Sequence, residues 1–123
     1  MAPSPVPTLV VVGDDASFCY LLERYAKKSD YHAVFVHSHE DALSMTLREA
    51  PVAVILELDL PKGRGWQAYH ALKHHPETCE IPVILCSWSD EAERGLDEGG
   101  TVHLRKPILY DDFLEVLLAM ALT

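Results

Sequence analysis

Asp14 and Asp15 stand side by side after a short apolar run, Glu57 closes a second run, and Asp59 follows two residues later. Ser87 ends a third run, and Lys106 precedes Pro107 after a fourth. Together they are four carboxylates, one hydroxyl and one ammonium, far apart in sequence. If they meet, that many carboxylates cannot all stay ionised without a counter-charge. A shared proton would relieve them, and so would a hard divalent cation. Oxygen-only ligands with room for water suit Mg²⁺ or Mn²⁺. Lys106 would add a tethered positive charge, and the Ser87 hydroxyl could bond an anion's oxygens. Metal, lysine and hydroxyl together are what phosphoryl transfer to a carboxylate requires. An Asp-Asp pair after a strand also serves simply as a helix N-cap. The joint placement of the set, not any single member, carries the chemical reading.

The elements that must position these residues follow from hydrophobic spacing. Short apolar, β-branched runs predict strands over Leu9–Val12, His32–Val36, Val52–Leu56, Val83–Cys86 and Val102–Leu104. Helical spacing predicts helices over Ala16–Lys28, His39–Ala50, Arg64–His74, Trp88–Asp97 and Asp111–Ala121. Ser38 is the expected N-cap of the second helix, and Gly99-Gly100 the turn into the last strand. Met1–Pro7 holds three prolines and predicts a flexible tail, leaving residues 8–123 as one domain. Short buried strands alternating with helices make a three-layer α/β fold with a parallel sheet covered on both faces. The flavodoxin-like strand order 2-1-3-4-5 is the commonest solution at this size. Ligands in such folds bind at the carboxyl ends of the strands, where all the residues above are placed.

Composition excludes several classes. With 10 basic and 19 acidic residues the formal charge is −9, which repels nucleic-acid backbones and anionic membranes. The charge admits a cation or a basic protein partner. Cys19, Cys79 and Cys86 form no C-x-x-C pair and suit reduced thiols of a cytoplasmic protein. No apolar run approaches the roughly 20 residues of a membrane helix. His70 and His74 have metal-binding spacing on the third helix, but nothing completes the set, and they read as a solvated face. His37 and His39 read the same way. The acidic loop after the first strand is wrong for a nucleotide or flavin phosphate. No nucleophile elbow suggests a serine or cysteine hydrolase, and no enzymatic activity is expected. Leu114 and Leu118 form a second apolar stripe on the last helix, as a face shared with a partner would.

The sequence resembles the receiver domain of bacterial two-component response regulators from Leu9 to Ala121. The matching segments are VVGDDASF with Asp14 and Asp15, LELDLPKGRGW from Leu56, IPVILCS ending at Ser87, and LRKPI with Lys106. The resemblance implies that the acidic pair binds Mg²⁺, with a backbone carbonyl at Asp59 as a further ligand. It implies a carboxylate at the end of the third strand that accepts phosphate from a histidine kinase. A hydroxyl residue ends the fourth strand, and a lysine before a cis-proline ends the fifth. Pro61 and Gly65 match the family's L-P-x-x-x-G turn and set the phosphoacceptor position on Glu57. Making Asp59 the acceptor would break that turn spacing.

Three residues depart from the family pattern. Glu57 stands where the family has Asp, His103 where it has an aromatic residue, and Trp88 where it favours a small one. Glu57 is one methylene longer than Asp, so its carboxylate reaches about 1.3–1.5 Å further, near where a phosphoryl group would sit. It carries −1 against roughly −2 for that group. The expected metal set is Asp14, Asp15, Glu57 and Asp59, with weak Mg²⁺ binding. Ser87, Lys106 and His103 are the expected switch and anion-binding residues. The expected function is an atypical signalling module of a phosphorelay, a pseudo-receiver acting through protein–protein contacts. A phosphorylation-competent Mg²⁺-dependent receiver and a small non-signalling metal-binding domain are the alternatives. The resemblance implies a histidine kinase or effector as partner. It also implies a homodimer surface from the fourth helix, fifth strand and last helix.

Overall fold

In the computed structural model, residues 6–59, 63–88 and 101–121 are described. Most of the expected N-terminal tail, Leu60 and Pro61, nearly all of the expected fourth helix and the Gly99-Gly100 turn lie outside them. The strands are β1 (Thr8–Val12), β2 (His32–Val36), β3 (Ala53–Glu57), β4 (Val83–Ser87) and β5 (Thr101–Arg105). The helices are α1 (Ala16–Lys28), α2 (His39–Glu49), α3 (Arg64–His74) and α4 (Tyr110–Ala121). All five strands are parallel, in the order β2-β1-β3-β4-β5. The expected α/β fold, strand order and sheet are therefore present.

The pleat sorts the apolar runs onto two faces, because successive side chains of a strand point in opposite directions. Val10, Val12, Val54, Leu56, Val83 and Leu85 pack with Ala42 of α2 and with Ala68, Tyr69 and Leu72 of α3. Leu9, Val11, Ile55, Ile84 and Cys86 pack on the other face with Phe18 and Leu22 of α1 and Phe113 and Leu117 of α4. Burial on both faces explains why these strands read as continuous apolar runs rather than alternating ones.

Two boundaries differ from the periodicity reading in a way that bears on function. β3 begins at Ala53 and runs through Glu57, one residue further than the apolar run. Val52 is left half exposed, whereas Glu57 is 2% exposed and pairs in register with Cys86. β4 likewise runs through Ser87, which is buried. Hydrophobic patterning stops at the first polar residue, but a polar residue stays in a buried strand when its side chain finds partners there.

The loops leaving the strands are held close to the sheet. Asp15 caps α1, its Oδ1 accepting the Ser17 N–H at 2.9 Å. Ser38 caps α2 as expected, accepting the Glu40 N–H. Gly65 lies so near the end of β3 that a Cβ there would come within 2.7 Å of the Leu58 Cα, so no side chain fits. The Lys106–Pro107 peptide is cis. The Tyr25 hydroxyl donates to the Ile108 carbonyl at 2.8 Å, tying the segment after Pro107 to α1.

Candidate functional site

At the carboxyl-terminal rim, β3 delivers Glu57 and the chain after β5 delivers Lys106. Lys106 Nζ donates to Glu57 Oε2 at 2.6 Å, with both side chains almost fully buried. The second Glu57 oxygen, Oε1, accepts the Asp14 backbone N–H at 3.3 Å. Lys106 also lies 3.3 Å from Asp59 Oδ2. That same Asp59 oxygen accepts the Trp88 backbone N–H at 3.1 Å. The ammonium is thus shared by two carboxylates, each of which is also bonded to backbone from another loop. Lys106 further sits 4.9 Å from the centre of the Phe18 ring and 5.9 Å from that of Trp88. Aromatic faces attract a cation in this range.

Burial works against the Lys106 ammonium, but the hydrogen bond and charge of Glu57, and then of Asp59, outweigh it. Its pKa is raised above the ordinary lysine value, so the ammonium is charged at neutral pH. Nearby thiols respond in the opposite sense to a reactive site. Burial pushes Cys86 up to about 12, and burial followed by the Glu57 charge raises Cys19. Both are protonated and unreactive at neutral pH.

The expected site residues are not all drawn together. Glu57, Asp59 and Lys106 meet, and Ser87 lies beside them, its carbonyl accepting the Lys106 N–H at 2.8 Å. Asp14 and Asp15 are exposed. Asp14 reaches Glu57 through its backbone, and Asp15 spends one carboxylate oxygen on its helix cap. His103 lies half-buried in β5, opposite Leu85. Among the described residues, no group of three or more His, Cys, Asp or Glu side chains is close enough to hold a metal ion. The four expected oxygen donors do not fit a divalent cation as they stand. The Glu57 carboxylate is engaged by the lysine, one Asp15 oxygen is engaged by its helix, and Asp14 is exposed.

The profile of the response regulator receiver domain family matches residues 9–118. This chain belongs to that family. It is 25% identical over 115 residues to protein PilH of Pseudomonas aeruginosa, an alignment covering 91% of this chain and 95% of PilH. It is 26% identical over 103 residues to the transcriptional regulatory protein YxdJ of Bacillus subtilis, covering 84% of this chain and 45% of YxdJ. The chain thus spans less than half of that longer relative. Its fold matches the receiver domain of the sensor histidine kinase PA1611 from Pseudomonas aeruginosa PAO1, with a TM-score of 0.86 at 17% identity. That match covers 97% of this chain and 100% of the other, whose crystal structure holds a magnesium ion in its active-site cleft.

The receiver's rim is tight around the ion pair. A cleft of about 180 Å³, lined by Asp15, Ser17, Phe18, Leu21, Trp88 and Pro107, opens onto Lys106. Trp88, 61% exposed, forms part of its wall. Sequence reasoning missed two contributors. The resemblance gives Asp59 a role only through its backbone carbonyl, yet its carboxylate is the second partner of Lys106. Gly13 was given no role beyond its acidic neighbours, yet it faces the Glu57 carboxylate directly. A glycine ending a wholly apolar strand, one residue before the acidic pair, was the available signal.

Proposed function

We propose that this receiver is a signalling module of a two-component or phosphorelay pathway that works through protein–protein contacts without being phosphorylated. Glu57 takes the phosphoacceptor position and stands in for the phosphorylated side chain. The observation that carries this reading is the 2.6 Å contact between Glu57 Oε2 and Lys106 Nζ in a buried setting. A phosphoryl group on a shorter Asp would present an anionic oxygen to the same lysine. The longer glutamate presents one permanently, at about half the charge. Lys106 supplies the counter-charge that a divalent cation would otherwise supply. Mg²⁺ binding at Asp14 and Asp15 is therefore weak, because the Glu57 carboxylate needed to complete its shell is held by the lysine. Ser87, beside the pair, and His103 of β5 remain in a fixed arrangement instead of following a phosphate.

The expected partners are a histidine kinase or an effector domain, in the cytoplasm. The net charge of −9 opposes direct contact with nucleic acid or an anionic membrane. Among the described residues no helix is long and apolar enough to cross a membrane. Leu118 of α4 is 53% exposed beside Leu114, as suits a dimer or effector surface that includes β5 and α4. The decisive experiment is incubation with acetyl phosphate and Mg²⁺, read by intact mass. The expected result is an unchanged mass. Gain of one phosphate that Glu57→Ala abolishes would establish the phosphorylation-competent alternative instead.

A further inference from the structure

We infer that Gly13 and Glu57 are a matched pair, with Gly13 a positioning residue whose missing side chain makes the room in which the glutamate reaches Lys106. A Cβ at position 13 would lie 3.2 Å from Glu57 Oε1, 3.3 Å from Glu57 Cβ and 3.2 Å from Phe18 Cδ2. It would be wedged between the carboxylate and the ring that supports Lys106. The backbone of Gly13 cannot easily retreat to relieve that crowding. Its N–H donates to the Val36 carbonyl at 3.0 Å, and its carbonyl is within reach of Cys19 Sγ and of His37 Nδ1 at 3.2 Å. The next peptide N–H, that of Asp14, is the donor to Glu57 Oε1. The bare glycine thus lets the strand end pass close to the carboxylate and hold one of its oxygens. No left-handed backbone is involved, so alanine is conformationally acceptable at this position and would test space alone.

The rim is shaped around a glutamate, and the permanent ion pair is a property of two positions rather than of one substitution. This inference rests on the reading of Glu57 as the standing partner of Lys106.

The test is a double-mutant cycle in the full chain, using Gly13→Ala, Glu57→Asp and the combination. Equilibrium denaturation gives the cost of alanine in each background, and the ¹⁵N resonance of the Lys106 ammonium reports the pair itself. In the Glu57 chain, Gly13→Ala should lower the folded-to-unfolded ratio roughly tenfold and shift the ammonium resonance. In the Glu57→Asp chain the contacts with Phe18 Cδ2 and with the Cβ at position 57 remain and only the carboxylate contact is relieved, so the same alanine should cost measurably less, about fivefold or below, and leave the resonance in place. If Gly13→Ala alone fails to fold, folding of the double variant supports the pairing and its failure overturns it. Equal cost in both backgrounds, or an unmoved Lys106 signal on Gly13→Ala, also overturns it. Such an additive cycle would leave the phosphorylation result untouched. Conversely, phosphate found on Glu57 would remove the parent reading whatever the cycle shows.

Discussion

Glu57 and Asp15 are carboxylates on the same rim of the same sheet, yet Glu57 is 2% exposed against Lys106 while Asp15 stands in solvent at the head of α1. Glu57 has both oxygens occupied, one by an ammonium and one by a backbone N–H. Asp15 makes one local bond to a residue two positions away. The contrast teaches where this receiver's electrostatic commitment lies. Taking two charges out of water is costly, and the attraction between them offsets that cost only while both are present. An exposed carboxylate is screened and can be lost cheaply. The buried half of the rim is therefore rigid and interdependent, and the exposed half is not.

Removing the lysine is the strongest way to break the comparison. Lys106→Met keeps much of the buried side-chain volume but leaves Glu57 as an uncompensated buried charge, which should cost about 3–5 kcal/mol in chemical denaturation. Glu57→Gln should cost less, about 1–3 kcal/mol, because Lys106 keeps Asp59 at 3.3 Å. If Lys106→Met costs no more than a surface substitution, the pair is not the structural centre of the rim.

Alkaline titration sharpens the same point. The Lys106 pKa is raised above its ordinary value of 10.5. The stability it contributes is fully present below that unfolded value and is lost as the pH rises through the folded one. Cys86, whose thiol is pushed from 9.0 to about 12, lowers stability in the same direction, because the unfolded thiol ionises first. The lysine's share is the difference between chains. As the pH rises above about 10.5, the parent should lose stability more steeply than Lys106→Met. Parallel curves would mean that the lysine is not held by its acids.

Much of this was legible in the sequence, and the parts that were not share a physical cause. α1 and α3 begin and end where spacing places them, because an amphipathic helix shows its apolar stripe directly. The parallel sheet followed from short, doubly buried runs, and its order is the commonest one for a fold of this size. Glu57 and Ser87 end their strands as placed, although the apolar runs alone stop one residue earlier at Leu56 and Cys86. Nothing local marks Glu57 as buried, since its partner lies 49 residues away. The two alternatives weighed for the acidic pair also could not be separated by spacing. In the fold, the Asp15 side chain caps a helix.

On the exposed half the expected effects are smaller. Asp15→Ala removes the α1 cap and should cost about 1 kcal/mol, with no change in the Lys106 ammonium resonance. Loss of that resonance on Asp15→Ala would show that the two halves of the rim are coupled after all.

The smallest effect concerns Mg²⁺. A ligand that binds only the folded state stabilises it by RT ln(1 + [L]/Kd), so about 10 mM Mg²⁺ meeting a site with a Kd near that concentration adds only about 0.4 kcal/mol. Because Glu57 and Asp59 are on the lysine, the expected gain in thermal or chemical stability is at or below that level. Asp14→Asn should leave it unchanged within about 0.5 kcal/mol. A gain of more than about 1 kcal/mol that Asp14→Asn abolishes would require a different arrangement. The cation would then have drawn Glu57 or Asp59 off Lys106, and the buried half of the rim would be an exchangeable site and not a fixed pair.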